Sequence, residues 1–572
     1  MTIRLRVLGK RIAAVSVLTL AAGLTAIAQG TIPQGGNGDR FFPGNLVVSR
    51  SVYDNKASNV VPGTILPPNC ANTQGKCGKS TGAPANGFYP TVWNNNLYDG
   101  SFGITSKIFL DQLTPWGFLL NSLEVPNSSD PGVTSTTDQM VTSFSSKSEL
   151  ALNRSMDGQY LTFMGYKAPI DALDVSNSNT PGVVDPTNPV GENYYRVVAT
   201  VDQKGKFHFT ETNAYSGNNG RAAILNTGKG VNVVYTSGNA GNGGNPQPNF
   251  VITGAGAQIL TPSTSPESAQ VPGNPTPVGS FNITQLGLPH DKIGKDTNFR
   301  GLTIFNNVIY TTKGSGGNGV NTVYFIDTTG KACPTPTGGA GGVGLPATFA
   351  TLPTTGLPYV VADLQTFGVR PYNMCILKGF PTLLASSASG VGFPFGLWFA
   401  DDKTLYVADE GSGDNTYSTA TGRYTAAAAQ TTAGLQKWVF DSTTSSWKYV
   451  YTLQTGLNLG VPYTVTGYPT GNNAATGLPW APATDGLRNI TGQVDGFGFV
   501  TIWGITSTVS GNGDQGADPN KLVAVFDYLG NTNPTVAAHE SFFTVRTAQF
   551  GEVLRGVSFA PGSEGGFGFG FE

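Results

Sequence analysis

A short strand, a polar turn and a second, aromatic-rich strand recur along this chain, too regularly for a random coil and too far apart for a compact repeat. The unit reads SELALNRSMDGQYLTFMGY from Ser148, RAAILNTGKGVNVVYTSG from Arg221, RGLTIFNNVIYTTKG from Arg300 and RNITGQVDGFGFVTIWG from Arg488. FGLWFADDKTLYVADEG from Phe395 is a further copy, and RGVSFAPG from Arg555 is a truncated one. Turns of Gly, Asn and Asp between alternating, β-branched and aromatic residues are hairpin signals. A third strand follows most copies (YYRVVATVD, NTVYFIDTTG, GLQKWVFDS, KLVAVFDYLG), and a fourth is legible in KFHFTETNA, WKYVYTLQ and SFFTVRTA.

Consecutive four-stranded antiparallel units predict an all-β fold, the blades of a β-propeller. First strands begin near 149, 222, 301, 396, 489 and 556. That spacing exceeds the roughly 40 to 50 residues of compact propeller repeats. The excess lies in Gly/Ser/Thr/Pro-rich loops such as 236–280 and 455–485, of a length typical of binding or mobile segments. The last copy holds a first strand alone, whereas GNLVVSRSV and KIFLDQLTPWGFLLNSLEV near the start supply strands two to four without a first. Joined, they complete a blade and remove the exposed sheet edges that an open ring would carry. The expectation is six blades, with seven as the alternative, closed by N- and C-terminal strands in one shared blade.

Composition agrees with a turn-rich β protein: 77 Gly, 37 Pro, 10% aromatic and 39% hydrophobic residues. With 12% charged residues and a net charge of −2, no sequence-wide attraction to nucleic acid exists. The first 28 residues combine Arg4, Arg6, Lys10 and Arg11 with an apolar stretch and a closing Ala26-Ile27-Ala28, the pattern of a cleaved secretory signal. No later stretch has the length to span a bilayer. Residues 29–562 are then one exported propeller domain, with a Gly/Phe-rich tail at 563–572. In an exported chain the four cysteines suggest disulfides, most simply Cys70 with Cys77 and Cys333 with Cys375, although four cysteines allow three pairings.

GFPFGLWFADDKTLYVADEG, GLQKWVF, GLRNITG, RGVSFAPG and IFLDQLTPWG together resemble a group of exported bacterial propeller-like proteins, across most of residues 40 to 562. LYVADEG alone is similar to a strand of six-bladed NHL-type and lactonase-type propellers. These resemblances imply the fold and carry over no catalytic residue.

Several side chains invite a chemical reading. Arg221, Arg300, Arg488 and Arg555 stand just before first strands, so they should ring one mouth of the channel. They would either hold an anionic ligand through forked hydrogen bonds or lock neighbouring blades together. Asp401 and Asp402 belong to a turn. Asp409 and Glu410 follow a second strand, where they would fix the next turn or reach an axial metal. Asn512, Asp514 and Asp518 offer oxygen ligands of the kind Ca²⁺ prefers, without the full EF-hand spacing, so a plain surface loop is the simpler reading. His208, His290 and His539 form no ligand motif. Trp398, Trp438, Trp447, Trp503 and Tyr406 are expected in the core. A carbohydrate platform would need aromatic rings exposed in a row, for which Trp93 and Trp116 are the better placed. Two functions follow: a secreted, non-enzymatic module binding polysaccharide or protein, or a metal-dependent lactonase-like hydrolase with axial carboxylates.

Overall fold

The computed structural model describes residues 40–53 and 104–563, apart from 145, 147, 173–174, 183–189, 240–255, 263–297, 315–318, 329–351, 356–373, 386–391, 475 and 513–514. The signal segment, Cys70, Cys77, Cys333, Trp93, His290, Asp514 and the tail beyond Ser563 lie outside the described residues.

Six small antiparallel sheets ring a common axis. Blade one is shared between the ends: its inner strand is Glu552–Phe559, followed outward by Leu46–Val52, Thr105–Leu113 and Leu119–Glu124. Val557 lies opposite Val48 and Ser558 opposite Val47, which is the closure read from the two half-units. Blade two runs outward from Asn153–Arg154 through Tyr160–Tyr166 and Arg196–Asp202 to Phe207–Thr212. Blade three has three described strands, Gly220–Asn226, Val233–Gly238 and Ala257–Leu260. Blade four comprises Phe299–Phe305, Val308–Lys313, Thr322–Ile326 and Met374–Ile376. Blade five comprises Pro394–Phe399, Thr404–Asp409, Gly434–Asp441 and Ser446–Leu453. Blade six comprises Ala483–Val494, Phe499–Val509, Lys521–Tyr528 and Phe543–Thr547. The count is six.

The hairpins obey their turn chemistry. Asn306 and Asn307 both have positive φ (47° and 60°), as a two-residue turn that matches strand twist requires. In blade six, Asp495 accepts the N–H groups of Phe497 and Phe499, each at 2.8 Å. Asp401 accepts that of Lys403 at 2.9 Å, which confirms its turn role.

Blades meet through apolar faces, and separate clusters fill successive gaps. Val47, Leu110 and Phe163 join blades one and two. Leu225 and Val234 pack on Met164 and Val198 between blades two and three. A larger cluster around Tyr235, Tyr310 and Trp447 unites blades three to five. Tyr406, Leu487 and Val525 close the gap from five to six, and Trp503, Leu522 and Val557 that from six to one. Each fully buried aliphatic side chain contributes about 1.5–3 kcal/mol, so stability is spread around the ring. Near the axis the inner strands crowd. A Cβ on Gly301 of blade four would lie 2.1 Å from the Phe395 carbonyl oxygen of blade five, and one on Gly556 of blade one 2.3 Å from that of Leu150. The residue after the leading Arg must therefore be small where backbones approach this closely.

The loop at 455–485 departs from expectation. It folds over a small core of Val465, Tyr468 and Trp480, with Tyr463 and Phe550 packed on it, instead of projecting as a binding element.

Candidate functional site

The two mouths of the channel differ. At the mouth where inner strands begin, Arg221, Arg300, Arg488 and Arg555 are all buried, at 5, 7, 6 and 4% exposure. They spend donors on the protein. Arg488 donates through Nε to Glu410 at 3.2 Å, and Arg300 lies 3.4 Å from the other oxygen of the same carboxylate. Glu410, at the end of blade five's second strand, thus couples blades four, five and six. Arg300 also donates to Ser148 at the head of blade two, so its side chain reaches past blade three. Arg221 donates to the Phe299 carbonyl at 2.9 Å and to Asn298 in blade four. Arg555 donates to Ser51 at 3.2 Å and to the Phe144 carbonyl ahead of blade two. These are contacts that lock blades. Burial, reinforced by the nearby Arg300 cation, holds Arg221 well below the ordinary arginine value, while Glu410 and Glu149 oppose the shift.

Glu149, four residues ahead of the inner strand of blade two, was not singled out in the sequence. It is fully enclosed, accepts Thr142 at 2.8 Å and Tyr166, and burial raises its pKa. Only its place next to the repeat's leading Ser148 could have flagged it.

Asp409 accepts the N–H groups of Phe393 (2.9 Å) and Gly411 (3.0 Å), pinning both ends of blade five's first hairpin. Burial pushes it up to about 6. Its neighbour Asp485, pushed up to about 7 chiefly by burial, accepts Gly413 N–H at 2.8 Å and Gln430 at 2.5 Å. Among the described residues no group of three or more His, Cys, Asp or Glu is arranged to hold a metal ion.

The 510–522 segment is not a plain surface loop. Asn512 and Asp518 are buried, and Asp518 accepts Tyr468 Oη at 2.8 Å, Ser510 at 3.1 Å and the Asn512 amide at 3.3 Å. Burial pushes Asp518 up to about 7. Its carboxyl fastens the 455–485 loop. The spacing of oxygen residues gave no hint of this, because the partner lies 50 positions away. His208 and His539 are exposed, and Cys375 is buried in blade four.

At the opposite mouth, where the inner strands end, a cavity of about 480 Å³ is lined by residues of all six blades. Ile224, Phe305, Trp398, Thr491 and Ser558 come from five inner strands. Blade two supplies Asn153, Arg154, Asp157 and Gln159. Arg154 donates to the Ser563 carbonyl at 2.7 Å. Thr227 donates to Asp157 at 2.6 Å. Against partial burial, hydrogen bonds from Ser155 and Thr227 hold Asp157 below its ordinary value. Trp398 is half-buried in this wall, not enclosed in the core as expected. Gly492 lets it lie close, since a Cβ there would stand 2.6 Å from the indole. Trp438, Trp447, Trp503 and Tyr406 are core residues as expected.

The fold and this axial cavity define a six-bladed β-propeller with an axial cavity at one mouth and buried, blade-joining arginines towards the other. No known family matches the sequence, and no curated protein does. Among solved structures, two of the NanB sialidase of Streptococcus pneumoniae align at 9% identity and TM-score 0.17. One, in complex with 2-[(3-chlorobenzyl)ammonio]ethanesulfonate, is aligned over 91% of this chain and 78% of its own. The other, NanB plus Optactamide, is aligned over 92% and 79%.

Proposed function

We propose that this protein is an exported, non-enzymatic binding module that takes a polysaccharide at the open axial mouth. The observation that carries this reading is the cavity of about 480 Å³ whose lining combines the indole of Trp398 with amide, hydroxyl and charged groups from blade two. Concave sites with an apolar wall and a few convergent polar groups are default ligand sites. A pyranose offers the complement, an apolar face and a hydroxyl rim. Arg154 and Asp157 carry opposite charges on the same arc, which favours a neutral sugar over a strongly anionic one. The opposite mouth supports this choice, because its four arginines are engaged by Glu410, Asn298, Ser148, Ser51 and main-chain carbonyls.

Export is inferred from the Met1–Ala28 pattern, and oxidised Cys333–Cys375 is inferred to staple the long loop of blade four. Amino-terminal sequencing of the mature protein should begin at Gln29, and peptide mapping without reductant should recover the linked pair. Binding is tested on an array of neutral and uronic oligosaccharides, with Trp398→Ala and Gln159→Ala as variants. Gln159 is exposed at the rim, so its loss spares the fold. Signal from neutral members, weakened at least about tenfold by Trp398→Ala and about threefold by Gln159→Ala, supports the site. An array with no signal overturns it.

A further inference from the structure

A fully buried lysine bridges the gap between blades five and six. The side chain of Lys437, on the third strand of blade five, has no exposed surface, and its Nζ lies 3.1 Å from Oδ2 of Asp527, equally enclosed on the third strand of blade six. Nζ also donates to the carbonyls of Tyr528 (2.8 Å) and Asn531 (3.0 Å). Each Asp527 oxygen takes a phenol: Tyr406 Oη donates to Oδ2 at 2.5 Å and Tyr451 Oη to Oδ1 at 2.8 Å. The Tyr528 N–H is a third donor, 2.6 Å from Oδ1. A second carboxyl completes the cluster. Asn531 Nδ2 donates to Glu540 Oε1 at 2.9 Å, while the buried Oε2 meets no N–H or hydroxyl donor. Glu540 pairs instead with the Asp527 side chain, and two carboxyls do so only by holding a proton between them. Burial, reinforced by Asp527, pushes Glu540 up to about 7. Burial also lowers the pKa of Lys437, against the pull of Asp527.

A plain ion pair is the competing reading. Enclosing two opposite charges completely, however, costs desolvation free energy that their attraction need not return. Proton transfer from the ammonium to the carboxylate removes both charges and leaves an amine against a carboxylic acid, a nucleophile against an electrophile. The amine touches the carboxyl it would attack, the kind of contact from which held groups react at high effective concentration. Three donors on the two Asp527 oxygens are placed to stabilise negative charge as the carboxyl carbon becomes tetrahedral. Glu540, on the same carboxyl, is placed to move protons.

We propose that Lys437 and Asp527 join on folding in an isopeptide bond that staples blade five to blade six, with Glu540 as the proton relay. The Nζ lone pair attacks Asp527 Cγ and forms the N–C bond. Glu540 gives its proton to the departing hydroxyl and takes one from the nitrogen, so that the C–O bond breaks and one water leaves. Glu540 is regenerated, and nothing is oxidised or reduced. Mass spectrometry of the denatured, reduced and alkylated full chain tests the proposal. Wild type should weigh one water less than its sequence counted from the observed amino terminus. Trypsin does not cut after an acylated lysine, so peptide 424–448 should be recovered covalently joined to 522–546. Glu540→Gln should stay folded by circular dichroism and yield at least about tenfold less of the joined peptides. Wild type of full mass, with cleavage after Lys437, overturns the bond. A water loss confined to one peptide, the mark of an aspartate succinimide, overturns it as well. Folded Glu540→Gln joined as fully as wild type overturns the relay.

Discussion

Glu410 illustrates how one residue can join three blades. Its carboxylate is shared by Arg300 and Arg488, all three groups nearly excluded from water. Removing one partner of such a set leaves buried charge uncompensated, typically at several kcal/mol. Glu410→Gln is expected to destabilise the protein by about 3 kcal/mol, read as a lower urea midpoint at unchanged slope. An unchanged midpoint would mean that the arginines are held by other groups. Gly301→Ala tests crowding at the axis: the added methyl would meet the Phe395 carbonyl, and a loss of about 2 kcal/mol is expected in the same assay. The leading arginines were legible because they recur in one frame of the repeat. Glu410 and Asp518 could be named from sequence, but their partners could not.

The decisive element is the inner strand Glu552–Phe559 in the blade it shares with Leu46–Val52. Arg50 ties this junction across strands, contacting Asp111 at 2.6 Å and Glu552 at 2.7 Å, and Arg546 of blade six reaches Asp111 at 3.0 Å. A chain ending at Phe550 would lack this strand, leave Leu46–Val52 with an unpaired edge and open the apolar face that Val48 turns to it. It is expected to lose the cooperative thermal transition in circular dichroism and to aggregate; a sharp, wild-type-like melt would show that the ring does not depend on closure. The 510–518 segment belongs to this scale too. Asp518 Oδ1 is engaged with Tyr468 and Ser510, so millimolar calcium is expected to leave the melting temperature unchanged, whereas a bound ion would raise it.

For the whole molecule, burial of carboxyl groups sets the pH dependence. Asp409 is held near 6 and Asp485 and Asp518 near 7, in each case chiefly because burial penalises the anion. A raised carboxyl pKa means that the folded state binds the proton more tightly than the unfolded chain. That stabilisation is complete below the ordinary value of 3.8 and is lost as pH rises through about 6 to 7. Asp111 acts oppositely: against its burial, Arg50 and Arg546 lower its pKa, and its contribution disappears in strong acid. The melting temperature is therefore expected to peak at about pH 4 to 5 and to fall between pH 5 and 8. Scanning calorimetry across that range checks the sign, and a rise from pH 5 to 7 would contradict it.

Period-two alternation, hairpin turn chemistry and the complementary half-units at the two ends are local patterns. They were enough to determine the six blades, their order and the closure, because a strand's pairing partners here are mostly its neighbours in the chain. Which mouth carries a cavity, why Trp398 borders it, and how Trp116 comes to stand beside Phe526 were decided only by tertiary structure. Those relations join residues dozens to hundreds of positions apart, and they arise when blades pack side by side and bring unrelated strand ends to one face.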